Sequence, residues 1–187
     1  MKGLIRTFRH LALGIVIAAA VISPAQGAHA GPAEPEVPDS IAVPDGNKLF
    51  GVGHAVGVQI YSCNATSGGF TWAFVAPQAN LYDDRGKLIM THFAGPTWQA
   101  KDGSFAVGRR EAGVNVDPTA IDWLLLSVPS SSAGQDGDHL AGTTFIQRIA
   151  TSGGLAPDAE ECNADTAGTQ AEVPYTADYY FWKATGN

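Results

Sequence analysis

The sequence predicts an all-β domain, with an antiparallel two-sheet sandwich as the first arrangement and a β-barrel as the second. Three observations carry this prediction. Apolar residues recur at every second position in segment after segment, the period of a strand with one covered face. Turn-forming sequences separate the segments: Pro44-Asp45-Gly46, Asp84-Arg85-Gly86, Asp102-Gly103 and Asp136-Gly137. No stretch holds a helical period between caps, although a single helical turn fits Pro118 to Asp122.

Seven strands follow in order. The first alternates through Phe50, Val52, Val56, Val58 and Ile60, which places an apolar face against the core. Gly51, Gly53 and Gly57 lie on its other face and predict a bulge, a bend or a close neighbour. The second alternates through Phe70, Trp72 and Phe74, the third is Leu88 to Phe93, and Phe105 with Val107 mark the fourth. Trp123 to Val128 is apolar on both faces, as in a central strand covered on two sides. Phe145 to Ile149 is the sixth. Val173, Tyr175, Ala177, Tyr179 and Phe181 give the seventh, with strict alternation.

The N-terminus predicts export. Lys2, Arg6 and Arg9 precede an uncharged run of 12 residues from Leu11 to Ile22, then Ser23-Pro24 and Ala28-His29-Ala30. This is the build of a cleavable secretory signal over residues 1–30, and the run is shorter than the roughly 20 apolar residues a membrane span needs. The protein is therefore expected to be secreted, extracellular or periplasmic, with no membrane span after cleavage. Residues 31–44 hold Pro32, Pro35, Pro38 and Pro44 among Glu34, Glu36 and Asp39, an extended leader whose Ile41 and Val43 are placed to dock on the domain. Residues 45–187 form a single domain.

The signal holds three of the 11 basic and none of the 18 acidic residues, which leaves a mature charge of −10. That argues against a nucleic-acid or anionic-membrane partner, because binding phosphates needs clustered Lys and Arg. Cys63 and Cys162 are the two cysteines. In an oxidising compartment one structural disulfide is the default, closing a loop of about 100 residues worth on the order of 4–5 kcal/mol. The alternatives are free thiols or a metal pair, for which no CxxC or HxxxH spacing exists; no metal is expected. Asn64-Ala65-Thr66 is a glycosylation sequon.

Motifs with chemistry are sparse. Gly51-Val52-Gly53-His54-Ala55-Val56-Gly57 imitates a dinucleotide fingerprint, but Val56 stands where the third glycine belongs, and a strand pattern follows where a helix is required. No cofactor is expected. His54 shares a face with Val52 and Val56 and reads as a hydrogen-bonded core or edge residue, with a ligand role as the alternative. In His92-Phe93-Ala94-Gly95-Pro96-Thr97-Trp98, His92 ends a strand, Gly95-Pro96 bends the chain and Trp98 re-enters or caps the fold. The string is either a packed corner or the wall of a ligand pocket. Arg148 and Asp178 are charges inside strands, which pair with each other, face solvent or serve a site. Ser104 follows a hairpin-like turn, but there is no GxSxG elbow. Asp136-Gly137-Asp138-His139 reads as a turn rather than a cation loop.

Seven ordered strings carry a resemblance. Gly57 to Tyr61, Phe74 to Ala79, His92 to Trp98, Asp122 to Leu125, Thr144 to Arg148, Thr151 to Gly154 and Tyr175 to Phe181 resemble a family of secreted bacterial and fungal proteins known as a domain of unknown function. The resemblance covers about residues 37–183. It implies export and one domain of this length, and no activity, cofactor or catalytic residue.

Two classes of function follow. The first is a non-catalytic exported module that binds a small molecule, a glycan or a surface polymer, with His92, Trp98, Asp178 and Tyr180 as the binding residues. The second is an extracellular hydrolase in which His92 acts as general base with an Asp partner. A concave pocket joining His92 to a carboxylate favours the second; an aromatic surface without an acid/base pair favours the first.

Overall fold

The computed structural model describes residue 3 and residues 31–186; the expected signal at 1–30 lies outside the described residues apart from Gly3. Eight antiparallel strands form one sheet in sequence order: β1 (Asn47–Thr66), β2 (Gly69–Tyr82), β3 (Leu88–Phe93), β4 (Thr97–Ala100), β5 (Phe105–Val114), β6 (Trp123–Ser132), β7 (Thr143–Gly153) and β8 (Gln170–Ala184). β8 pairs with both β7 and β1, so the sheet closes into a barrel. The all-β antiparallel class and the single domain are as the sequence predicts, and of the two arrangements the strand pairing takes the barrel. Closure leaves no unpaired edge at β1 or β8.

The eighth strand is the one the pattern omits. β4 is four residues long and begins just after Gly95-Pro96, which is a hairpin turn rather than a corner. Trp98 sits within it, paired with His92 on one side and Ala106 on the other. Pro118 to Asp122 forms a turn closed by Ala120 N–H donating to the Asp117 carbonyl, not a helical turn.

The faces of β1 are the reverse of the expectation. A bulge falls between Leu49 and Gly51, and beyond it Gly53, Ala55, Gly57, Gln59 and Tyr61 point inward. Val52, His54, Val56 and Val58 point outward, and Val56 is 57% exposed. The barrel's curvature explains the choice. At Gly57 the backbone of β2 comes so close that an added Cβ would collide with the Gln78 carbonyl oxygen and with Ala79 Cα. Only a residue without a side chain fits where the sheet curls this tightly.

β8 behaves as its alternation predicts: Tyr175, Ala177, Tyr179 and Phe181 are all buried in the barrel. They meet Leu81, Met90, Trp98, Leu126 and Ile146 in the main core. β6 is apolar on both faces because it has two covers. Leu124 and Leu126 face the interior, while Leu125 lies under the leader. There Ile41 is fully buried against Leu125 and Ile149, flanked by Val37 and Val43, worth about 1.5–3 kcal/mol for the isoleucine alone. Buried Gln147 locks the strap: its Nε2 donates to the Ile41 carbonyl (2.8 Å) and its Oε1 accepts from Trp182 Nε1 (3.0 Å).

The expected disulfide is present between Cys63 and Cys162, with Cα atoms 5.3 Å apart. It ties the β7–β8 loop to the end of β1. Among the described residues no helix is long and apolar enough to cross a membrane.

Candidate functional site

The two ends of the barrel differ. One is plugged. Asp102 accepts hydrogen bonds from Ser104 Oγ, Ser104 N–H (2.9 Å) and His139 N–H (2.9 Å), and Ser104 Oγ in turn accepts from Leu140 N–H (3.0 Å). These bonds, that from Ser104 Oγ first and from His139 N–H second, hold the Asp102 carboxyl at about 2. Ser, Asp and His meet here without forming a triad. His139 contributes only its backbone N–H, its ring packs edge-on against Phe50, and Ser104 is fully buried. The 136–139 segment is part of this plug, as its reading as a turn implies.

The other end opens into a cavity of about 600 Å³. The β3–β4 hairpin, the loop before β6 and the β7–β8 loop surround it through Pro96, Ile121 and Leu155. Exposed apolar side chains form the rim: Phe74 at 55%, Val75 and Leu155. Gly154 enters the wall with φ +80°, and an added Cβ would press on Tyr175 Cβ at 2.9 Å and Gln59 Cγ at 3.1 Å. Its carbonyl accepts from the Tyr61 hydroxyl (2.7 Å), which fastens the loop over the opening.

The floor is built from β1, β3, β4, β7 and β8. His92 pairs with Ala79 and Trp98 across its two neighbouring strands, which puts imidazole and indole face to face, 4.1 Å apart and 11° from parallel. Tyr179 meets both edge-on, at 5.2 and 5.3 Å. Both rings are buried, so the string is a packed hairpin, not a corner, and at the same time a cavity wall. His92 Nδ1 lies 3.0 Å from the Thr97 carbonyl, an acceptor only, so that nitrogen carries the proton and Nε2 the lone pair. Burial pushes its pKa down to about 3; the Thr97 carbonyl opposes this and the Arg148 charge adds to it. No carboxylate is hydrogen-bonded to His92 among the described residues.

Two donors in this cavity have no acceptor. Trp98 Nε1 and Gln59 Nε2 are buried and meet no partner in hydrogen-bond geometry, although their residues are only 1% and 2% exposed. The Gln59 amide lies near enough to the Tyr175 hydroxyl to pull its pKa down, a long contact short of full hydrogen-bond geometry, and that hydroxyl lies 3.3 Å from that of Tyr179. Leaving a buried donor unmatched costs about 1–3 kcal/mol, so two in one cavity are a marked expense.

Arg148 is the interior cation. Its Nε and Nη2 donate to the Asp122 carbonyl at 3.1 and 2.8 Å. Its charge draws down the pKa values of Tyr61, His92, Tyr175 and Tyr179, which together surround it. For the three tyrosines burial outweighs that effect, and each hydroxyl stays above its ordinary value.

The expected Arg148–Asp178 pair does not form. Residues opposite one another across β7 and β8 share a face, and Arg148 stands opposite Tyr179, whose side chain is inside. Asp178 is one residue away and points outward, where it meets His54 Nδ1 at 2.7 Å; Asp84 takes the other ring nitrogen at 2.8 Å. His54 is thus neither a core nor an edge residue: β1 is paired on both sides of it and its ring lies on the outer surface, its pKa raised by Asp84 first and Asp178 next, against a smaller loss from burial. Tyr180 also points outward and packs under the leader with Ile41 and Leu125. Of the four expected binding residues, the cavity brings His92 and Trp98 together and leaves Asp178 and Tyr180 outside. Gln59 and Tyr61 are the additions. Their signal was a glutamine and a tyrosine in the otherwise small-residue register of β1.

Residues 44–183 match the model of a family described as a protein of unknown function, DUF3455. The chain belongs to that family. No curated protein and no solved structure matches it. In this DUF3455 chain the matched span runs from the end of the leader through β8 and so contains the whole barrel and the cavity.

Proposed function

We propose that this chain is an exported, non-catalytic module that binds one small molecule in the mouth of its barrel. The supporting observation is the pair of buried, unmatched donors, Gln59 Nε2 and Trp98 Nε1, in an apolar cavity of about 600 Å³. An eight-stranded barrel is just wide enough to be filled by side chains or to hold one small ligand, and cavities of roughly 300–1,000 Å³ suit such molecules. Both donors are closed off from solvent, so a ligand's acceptor group reaches them as the side chains above them shift, while its body covers apolar wall.

The chemistry favours this over the two other readings. A glycan brings many hydroxyls and needs many polar partners, whereas Phe74, Pro77, Leu124, Leu126 and Leu155 line much of the wall. A hydrolase needs a general base whose pKa lies near the working pH, and His92 at about 3, bonded to a backbone carbonyl, is a weak base without an orienting carboxylate.

The test is a thermal-shift screen of glycans and small aromatic metabolites, followed by calorimetric titration of each hit. Hits are expected among compact aromatics, with one site per chain. Their stabilising effect should fall in Trp98→Phe and in Gln59→Leu, which remove a donor while keeping an apolar body in place. An effect undiminished in both variants, or hits confined to glycans, would overturn the assignment.

A further inference from the structure

Arg148 carries a full charge into the barrel and has no carboxylate partner among the described residues; the ion pairs there are those of His54, Arg109 and Arg110. The scarcity of acidic residues does not explain this, since the chain has 18. The nearest candidate, Asp122, gives Arg148 its backbone carbonyl and directs its carboxylate to Arg110 at the rim, 3.1 Å away. A partly buried guanidinium is normally matched by an anion, because desolvating it without one is costly. Here the Asp122 carbonyl occupies the Nε and Nη2 side of the fork, and the guanidinium still lines the cavity.

Resting on the binding reading above, we propose that the ligand is a ring-bearing monocarboxylate, and that Arg148 is its counter-ion, with Gln59 and Trp98 as the neutral donors that complete the site. The donor set selects the anchor. Gln59 Nε2, Trp98 Nε1 and the guanidinium all offer protons, and an ionised carboxylate is acceptor-only with about four lone-pair sites. The charge count selects a monoanion. His92 stays neutral and adds no second cation to the floor, and Arg110 is already paired, so a phosphate with about −1.5 to −2 charges would be left in excess. The walls select the body: the exposed Phe74 ring, with Val75, Leu124 and Leu155 around the same opening, offers an apolar surface to another ring.

The experiment is calorimetric titration of the disulfide-intact mature chain with 2-naphthoate, 2-naphthamide and 2-naphthyl phosphate at neutral pH. Naphthoate and naphthamide share size and rings and differ in charge. Naphthoate should bind about tenfold or more tighter than naphthamide, as charge-assisted bonds outweigh neutral ones, and tighter than the phosphate. In Arg148→Gln the carboxylate's advantage should collapse to within about twofold, with naphthoate weakened far more than naphthamide; Arg148→Lys should retain part of it. Equal binding of naphthoate and naphthamide, a preference that survives Arg148→Gln, or tightest binding by the phosphate would overturn the carboxylate assignment and leave a binding cavity in place. Failure of all three compounds to bind at millimolar concentration would count against both the anchor and the cavity's role. The wild-type ratio requires no variant, so poor folding of Arg148→Gln would not remove the test.

Discussion

Removing the Cys63–Cys162 bridge perturbs the unfolded chain far more than the folded one. The two cysteines are 99 residues apart in sequence, and closing a loop of that length removes denatured-state entropy worth about 4.7 kcal/mol at 25 °C. In the folded state the segment keeps other ties. Tyr61 still donates to the Gly154 carbonyl (2.7 Å) and Trp72 Nε1 to the Asp158 carbonyl (3.2 Å), and barrel closure between β1 and β8 is untouched. For a domain of this size, each kcal/mol moves the melting temperature by about 2–4 °C. The Cys63→Ala/Cys162→Ala variant should therefore melt about 9–19 °C below the oxidised protein, with its near-ultraviolet circular dichroism retained. Differential scanning calorimetry of the variant, the oxidised wild type and the reduced wild type measures this, the last separating loop closure from the loss of two buried sulfurs. A drop under about 4 °C in both disulfide-free forms would refute loop closure as the source of stability.

Three further predictions concern single residues. Protonated His54 donates to Asp84 and Asp178, so its pKa lies above 6.5; the stability this adds is fully present below about pH 6.5 and is lost as the pH rises through the raised value. An NMR titration placing His54 at or below 6.5, or a His54→Gln variant with the same loss of melting temperature between about pH 6 and pH 8 as wild type, would contradict it. His92 should stay neutral, with the proton on Nδ1, down to about pH 4 in nitrogen-detected NMR, because burial holds its pKa at about 3. The sign is opposite to that of His54: as the pH falls below about 6.5 the unfolded chain takes up a proton the folded chain refuses, so His92→Gln should lessen acid sensitivity. Gly57→Ala should destabilise by about 1–3 kcal/mol or more in urea melts, since the new Cβ collides with the Gln78 carbonyl of β2; a neutral result would mean that the strands do not approach so closely.

Much of the fold was legible because strand alternation and turn chemistry are local. The 84–86 and 102–103 turns mark hairpins, and the inward row of β8 is read directly from Tyr175 to Phe181. Alternation gives a period but not a side, and β1 shows the consequence. Its valines look like the buried row, yet the tight curl at Gly57 requires the small residues inside. β4 escaped because four residues leave no room for a period. At the site, His92 and Trp98 were legible as one string because they pair across a single hairpin. The Arg148–Asp178 pairing failed for a reason already present in β8: if Ala177 and Tyr179 point inward, Asp178 between them points out. The unmatched donors were not legible at all, since a missing acceptor depends on what four other strands place nearby.

The indole N–H of Trp98 reports the central claim most directly. Of the four tryptophans, Trp72 and Trp182 donate to protein acceptors, to the Asp158 carbonyl and Gln147 Oε1, while Trp98 Nε1 has none. In a nitrogen–proton correlation spectrum recorded during titration with 2-naphthoate, the Trp98 indole proton should move downfield as it gains an acceptor, and those of Trp72 and Trp182 should hold still. A saturating ligand that leaves the Trp98 resonance in place would contradict binding in the barrel mouth.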